Sequence, residues 1–392
     1  MNKVYIVSAV RTPIGSFGGL LSGFTAVELG AKAIAGALKK ANINANTVDE
    51  VFMGNVVSSN LGQAPARRAA IQAGLGYNVP ATLINKVCAS GMKAITLGAQ
   101  SIMLGLNDVV VAGGMESMSN IPYYAPNARF GQKFGDSQLL DGLVKDGLWE
   151  PEHEFMMGNC GDNTATEMDF SRNEQDEYAI RSYKLAAETT AKGWFKDEII
   201  PVEIPQRKGE PLVMDEDEEF KKVNYEKIPK LKPVFNKEGT VTAANASTIN
   251  DGASALILMG ESKLKELNLK PLAEILGFAD AAREAIWFTT APSLAIPLAL
   301  KHAGLDKKSV DFYEINEAFS VVALANMRIL ELKPDSVNVF GGAVALGHPL
   351  GASGARITTT LINVLSKMDG RIGVAGICNG GGGASAIVLE KL

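Results

Sequence analysis

The chain is short of the residues that mark secreted, metal-binding and nucleic-acid-binding proteins. It has 3 cysteines, Cys88, Cys160 and Cys378, and no pair at CxxC spacing. An odd, dispersed set argues against a disulfide framework and against a zinc ribbon. Histidine is equally scarce, with only His153, His302 and His348, so each is worth inspecting for chemistry. Basic residues do not outnumber acidic ones: 38 Lys and Arg against 43 Asp and Glu give a net charge of −5. A broad basic face for nucleic acid or an anionic membrane is therefore not expected. No apolar run reaches the roughly 18 residues of a membrane span. The first pattern is a strand, Val4–Val7, with no signal or transit pattern ahead of it, and the expected location is the cytoplasm.

What is present is length and small residues. At about 150 residues per domain, 392 residues suggest two or three domains with a sizeable core. The chain also repeats itself. Leu38–Ile43 resembles Leu300–Leu305, and both runs continue to a Val-Asp pair, Val48-Asp49 and Val310-Asp311, at an offset of 262. Ala89-Ser90-Gly91 matches Ala352-Ser353-Gly354, and Val111-Ala112-Gly113 matches Val374-Ala375-Gly376, both at 263. Gly252–Leu256 then matches Gly383–Ile387 at 131, so the first copy carries an insertion of 132 residues between Gly113 and Gly252.

Each copy alternates helix and strand signals. In the first, Ala26–Lys40 reads as an amphipathic helix, Val48–Met53 as a strand, Ala89–Leu104 as a small-residue helix and Val109–Gly113 as a buried strand. Such alternation predicts α/β architecture, with mixed sheets carrying helices on their faces and two halves stacked around shared helices. The expected units are 1–119 with 250–269, an inserted loop domain over 120–249, and 270–392. The insertion has its own texture: scattered prolines, one clear helix (Glu174–Lys192), an acidic stretch (Asp215–Glu219) and five lysines from Lys221 to Lys232. Those lysines read equally as a solvated surface or as a phosphate-binding patch.

The chemistry-bearing residues fall at equivalent places in the copies. Cys88 lies where a strand pattern gives way to a helix, and its counterpart is Gly351, so the cysteine is a specialisation of one half. A helix N-terminus or a histidine would lower its pKa and supply a thiolate; a buried, inert cysteine is the other reading. His348 sits in a glycine-flanked loop before the matching helix and is placed to take a thiol proton. Cys378 precedes Asn379 and Gly380–Gly383. Such a run lets backbone N–H groups approach an oxyanion, and it would also serve as a turn. Asn316-Glu317-Ala318-Phe319 ends a strand of the second copy, where α/β proteins place reacting groups. His153 and Cys160 lack a supporting motif and read as structural.

These strings carry a resemblance. The Cys88 segment Asn85–Met92, Val111–Met118, Asn245-Ala246-Ser247, Asn316–Phe319, Gly341-Gly342-Ala343 with His348-Pro349, and Cys378–Gly382 together resemble the thiolase family along the whole chain. The motif dialect is that of its short-chain, acetoacetyl-CoA branch. The resemblance implies a layered α-β-α-β-α fold and a reversible Claisen condensation of two acetyl-CoA to acetoacetyl-CoA and coenzyme A. Cys88 would carry the acyl group, His348 would accept its proton, and Cys378 would be the second acid/base. Asn316 would hold a water at the enolate oxygen, and the N–H groups of Cys88 and Gly380 would form the oxyanion hole. A covalent intermediate predicts ping-pong kinetics.

The same resemblance implies coenzyme A contacts at Tyr183, Lys222, Val223, Asn224, Lys227, Ser247, Met157 and Phe319. It implies a potassium ion among Tyr183, Ala243, Ala244, Ala246 and Val344, and no tightly bound cofactor. It further implies a place in lipid metabolism and a homotetramer built from dimers, with Tyr123–Asp136 at a contact. One departure stands out: Met156 replaces the histidine of a His-Met-Gly string, and its flexible thioether reshapes the pocket. Rival readings are a degradative 3-ketoacyl-CoA thiolase of broader chain range, a ketoacyl synthase, and a non-catalytic acyl-CoA-binding protein. The synthase calls for a second histidine at Asn316 or Cys378, and the binding protein for loss of Cys88, His348 or Cys378.

Overall fold

The computed structural model describes residues 2–392. Nine strands build its central sheet: β1 (Val4–Arg11), β2 (Glu50–Gly54), β3 (Ala81–Ile84), β4 (Val109–Ser117), β5 (Asn250–Gly260), β6 (Ala273–Ala282), β7 (Phe312–Ile315), β8 (Ile372–Asn379) and β9 (Gly383–Lys391). Gly15–Ser16 adds a short tenth strand beside β5. The order is β7-β8-β9-β6-β1-β5-β4-β2-β3. β1, β4, β5 and β8 are buried along their whole length, so their sequences are mostly apolar or small without polar alternation, with Arg11, Glu116, Asn250, Asp251 and Asn379 gathered toward the strand ends.

The repeat is visible in the pairing. β1 runs antiparallel to β5, β5 antiparallel to β4, and β4 parallel to β2; β6, β9, β8 and β7 repeat each relation in turn. A register shift between Ile6 and Ser8 in β1 recurs between Ile275 and Gly277 in β6. The halves meet edge to edge through Tyr5–Glu274 and Ile6–Ala273 alone. The counterpart of β3 has shrunk to a single bridge, Tyr313–Val337.

Helices complete five layers. α1 (Ala26–Ala41) covers the outer face of the first half and α5 (Pro292–Ala303), with α6 (Ser320–Leu330) packed beside it, that of the second. Between the halves lie α2 (Ser90–Met103) and α7 (Leu350–Lys367), against strands of both. α1 begins on a capping box, Thr25 with Glu28, worth about 1 kcal/mol, and its apolar stripe from Val27 to Leu38 faces the sheet. α2 and α7 approach backbone to backbone. A Cβ on Gly91 would stand 2.8 Å from the Ala355 nitrogen, and one on Gly354 would stand 2.5 Å from the Met92 nitrogen. These glycines are equivalent in the repeat. Gly354→Ala must part the helices and is expected to cost about 1–3 kcal/mol, read as a lower thermal midpoint. A variant melting with the wild type would remove this crossing from the account.

The segment between β4 and β5 contributes no strand to the central sheet, only a bridge from Ile199 to Arg11 at the end of β1. It holds three two-stranded ribbons and the helices α3 (Gly158–Glu167) and α4 (Arg172–Ala191), the latter opened by a Ser171–Glu174 capping box. Its acidic stretch turns out to be an anchor. Asp217 takes Arg11 in a bidentate pair at 2.7 and 2.9 Å, both buried, and Glu218 accepts from the Ser16 and Leu20 N–H groups. β4 also runs on past Gly113 to Ser117. The Gly113-Gly114 pair lets neighbouring backbone close in, since a Cβ on Gly113 would lie 2.1 Å from the Ser254 oxygen. Among the described residues no helix is long and apolar enough to cross a membrane.

Candidate active site

Cys88 sits on a sharp turn between β3 and α2. Asn85 Oδ1 accepts from the Val87 N–H at 3.0 Å, and the Asn85 amide donates to the Val56 carbonyl at 3.0 Å. Ser90 Oγ accepts from the Lys86 N–H at 2.8 Å and donates to the Val87 carbonyl at 2.6 Å. This scaffold holds Val87 at φ +49°, a left-handed conformation that a β-branched residue adopts at a cost of about 1–3 kcal/mol. The turn points the thiol into a cavity while leaving the residue buried. Two backbone N–H groups, its own and that of Gly380, favour the thiolate. Burial is the larger effect and pushes the thiol up to about 12. Of the two readings left open for Cys88, a pre-formed thiolate is therefore not the resting state; the thiol is neutral and needs a base.

His348 lines the same cavity, in the loop before α7. Its N–H donates to Asn250 Oδ1 at 2.9 Å, and its Nδ1 lies 2.6 Å from Ser353 Oγ. Ser353 has one hydroxyl hydrogen, which it gives to the Pro349 carbonyl at 2.9 Å. Ser353 must therefore accept from Nδ1–H, which leaves Nε2 as the lone-pair nitrogen. Nε2 is buried with no hydrogen-bond partner in the protein. Burial, then the Arg356 charge, lowers its pKa to about 3, so the ring rests neutral as a base should. Ser353→Ala frees the ring to take the wrong tautomer. We expect about a tenfold loss of kcat with KM little changed; equal kcat would dismiss the serine.

Cys378 ends β8, fully buried against Phe288, Ala318 and Phe319. Burial, and secondarily Cys88, raises its pKa well above the usual thiol value. Gly381 and Gly382, at φ +78° and +82°, turn the chain from β8 into β9, and a Cβ on Gly382 would lie 1.9 Å from the Arg283 oxygen. The glycine run is thus both a turn and the element that presents the Gly380 N–H. Asn316, at the end of β7, keeps Oδ1 3.5 Å from Arg356 Nη2, and its Nδ2 has no partner in the protein. Cys88, His348 and Gly380 line the cavity; Cys378 and Asn316 are buried and do not.

Two buried carboxylates that sequence reasoning passed over hold these loops. Glu116 accepts from the N–H groups of Val56, Val57 and Gly351 and from the Asn55 amide, and burial still raises its pKa to about 7. Glu317 accepts from Tyr178, Ser182, the Asn338 amide and the Val344 N–H. The available signal was a carboxylate inside each motif string, at a strand end too apolar to leave it solvated.

The cavity measures about 520 Å³ and is mainly apolar, with Met118, Met156, Met157 and Leu148 in its wall. Of the expected coenzyme A contacts, Lys222, Ser247, Met157 and Phe319 line it. Lys222 also hydrogen-bonds Ser16 at the same wall. Asn224 and Lys227 are exposed outside it. Tyr183 is buried with Phe220, with Val223 packed against that cluster, so it supports the wall from behind. Of the residues expected around potassium, Val344 is buried in the Tyr183 cluster and Ala244 is buried in a turn, while Ala243 and Ala246 line the cavity. Cys160 is buried in α3, and His153 pairs with Glu150 at 2.7 Å and stacks on Phe155.

A family model described as the thiolase N-terminal domain matches residues 4–262, and one described as the thiolase C-terminal domain matches residues 269–391. The acetyl-CoA acetyltransferase of Schizosaccharomyces pombe is 58% identical over 391 residues, spanning 100% of this chain and 99% of that protein. The cytosolic acetyl-CoA acetyltransferase ERG10 of Gibberella zeae is 58% identical over 390 residues, spanning 99% of this chain and 98% of that protein. The crystal structure of Acat5 thiolase from Ascaris suum in complex with coenzyme A superposes with a TM-score of 0.94, at 47% identity and 100% coverage of both chains.

Proposed function

The chain belongs to the thiolase family, and from that premise we propose that it is an acetyl-CoA C-acetyltransferase, joining two acetyl-CoA into acetoacetyl-CoA and coenzyme A and running the reverse. One observation carries the reading. Cys88, the unpaired Nε2 of His348 and the Gly380 backbone share the wall of one cavity, and the N–H groups of Gly380 and Cys88 favour the Cys88 thiolate. A nucleophile, its base and an oxyanion hole are thereby in one place.

The proton inventory closes over two half-reactions. Cys88 Sγ attacks the thioester carbonyl while its proton passes to His348 Nε2. The oxyanion takes the two N–H groups, and collapse expels the coenzyme A thiolate, which receives the Cys378 proton. Acetyl-Cys88, imidazolium and the Cys378 thiolate remain. That thiolate removes a methyl proton from a second acetyl-CoA, and the electron pair moves onto the thioester oxygen, stabilised by His348 and a water on Asn316. The carbanion attacks acetyl-Cys88. Cys88 then leaves and recovers its proton from His348, with Cys378 already reprotonated. His348 and Cys378 thus move the protons between the two cysteines and the substrates.

The coenzyme A arm follows the cavity past Met157, Phe319 and Ser247, with Lys222 as a point charge for phosphate at its mouth. Lys227 and Asn224, exposed beyond, suit the nucleotide end. No cofactor is tightly bound. Neutral oxygens of Tyr183, Ala243, Ala244, Ala246 and Val344 suit a weakly held potassium ion, which would stiffen the turn carrying Ser247. The relative named cytosolic supports a cytoplasmic place. Phe130 and Phe134, 87% and 98% exposed in the Tyr123–Asp136 loop, support assembly into a tetramer through that loop.

The test is coenzyme A-dependent cleavage of acetoacetyl-CoA beside a longer 3-ketoacyl-CoA, in potassium and in sodium chloride. Cleavage of the four-carbon substrate alone supports the short-chain enzyme. Comparable cleavage of both moves the assignment to a broad degradative thiolase and points to Met156. Equal rates in the two salts count against the ion. Monomers in sedimentation velocity count against the tetramer.

A further inference from the structure

Two arginines are buried in this protein, and they are treated oppositely. Arg11 is saturated: Asp217 takes both ends of its fork at 2.7 and 2.9 Å, and Glu198 takes Nε at 2.5 Å. That is how an interior guanidinium with a purely structural role is satisfied. Arg356, on α7, is only 2% exposed, yet its closest carboxylate oxygen, on Glu314, is 3.9 Å away. Its Nε and Nη1 have no hydrogen-bond partner in the protein. Its one side-chain hydrogen bond is the long 3.5 Å approach of Nη2 to Asn316 Oδ1. In the first copy of the repeat the matching residue is Lys93, a partly exposed lysine ion-paired with Asp280 at 2.7 Å. The buried, loosely paired cation belongs to the second copy alone.

A guanidinium only donates, so the face of Asn316 beside it has to be the amide oxygen. The Nδ2 hydrogens are left as the free edge, and Nδ2 has no protein partner. Arg356 also lies three residues after Ser353, on the same face of α7. One face of one helix thereby sets the tautomer of His348 and the orientation of Asn316.

We propose that Arg356 is a positioning residue for the enolate half-reaction: it fixes the Asn316 amide with its donors presented to the water that meets the enolate oxygen, and its loosely paired charge favours the negative charge that gathers there. This rests on the reading of Asn316 given above. Acylation of Cys88 uses a separate oxyanion site, the Gly380 and Cys88 N–H groups, and losing the Arg356 charge would ease proton uptake by His348 there, so acylation is not expected to slow.

The two half-reactions can be read separately in the full-length enzyme. Acylation is followed as the burst of coenzyme A released from acetyl-CoA. Enolisation is followed as exchange of acetyl-CoA methyl protons with deuterated water by NMR. Arg356→Met is expected to slow exchange about tenfold to a hundredfold while leaving the burst rate within about threefold of wild type. Arg356→Lys, which keeps the charge without the planar fork, should fall between them. Asn316→Ala is the control. Exchange unchanged in Asn316→Ala would defeat the reading of Asn316 and this inference with it. Slow exchange in Asn316→Ala but wild-type exchange in both Arg356 variants would overturn this inference alone. Should Arg356→Met fail to fold, Arg356→Lys carries the test, and equal losses in burst and exchange would make the arginine structural and end the proposal.

Discussion

Cys88→Ala is expected to lower the rate of coenzyme A-dependent acetoacetyl-CoA cleavage by a factor on the order of a hundred thousand or more, to the background of the assay. Each other catalytic group acts on chemistry that Cys88 begins. His348 Nε2 has no other thiol proton to accept in the cavity. Cys378 does not deputise as the acyl carrier, because the Gly380 N–H favours the Cys88 thiolate, while only its own N–H favours that of Cys378. The substitution shortens a side chain on a turn held by Asn85 and Ser90, so folding and coenzyme A binding should survive. The check is a rate assay paired with calorimetric titration of coenzyme A. Binding with residual activity within a hundredfold of wild type would mean that another group carries the acyl chain.

His348→Ala should lose about a hundredfold to ten-thousandfold at neutral pH, and its pH dependence should differ in kind from the wild type. A thiol pushed up to about 12 is ionised in only about one molecule in ten thousand at pH 8. In the proposed mechanism the wild-type enzyme avoids that penalty, because the proton passes to Nε2 during attack. The variant must draw on the pre-ionised fraction, so its acylation rate should climb about tenfold per pH unit across pH 7–10. Wild-type acylation should stay flat there. It should also hold down to about pH 5, because a ring whose pKa is lowered to about 3 remains neutral and able to accept a proton. Stopped-flow release of coenzyme A across this range gives both profiles. A variant profile parallel to the wild type would remove His348 from proton transfer.

Much of this was legible in the chain because a repeat makes each copy a control for the other. Matching Cys88 to Gly351, and the His348 loop to the loop before α2, placed the reacting groups at equivalent ends of two similar halves before any coordinate was known. The repeat also predicted the mixed sheets and the paired central helices. What stayed hidden depends on surroundings rather than on residue type. Nothing in Asn85–Ser90 announces that Val87 takes a positive φ, because that conformation is imposed by hydrogen bonds from Asn85 and Ser90. The neutral state of Cys88 follows from burial, which outweighs the helix terminus and both N–H groups. Asp217 reads as one acid in an acidic run until the fold brings Arg11 to it across 206 positions. Tyr183 fell on a ligand-contact position of the family pattern but packs beneath the wall, since periodicity on α4 fixes its face and not its depth.

The space around Gly351 explains why only one half of the repeat bears a nucleophile. A Cβ there would lie 2.7 Å from the Asn55 Cα and 2.9 Å from the Met115 oxygen, while the Gly351 N–H holds Glu116 at 2.8 Å. The second copy has no room for any side chain at the place where the first carries its thiol. A chain built from two near-equal halves therefore has one acylation centre by construction. Its stoichiometry of covalently bound acetyl should never exceed one per chain, with the thiol in one half and the imidazole in the other.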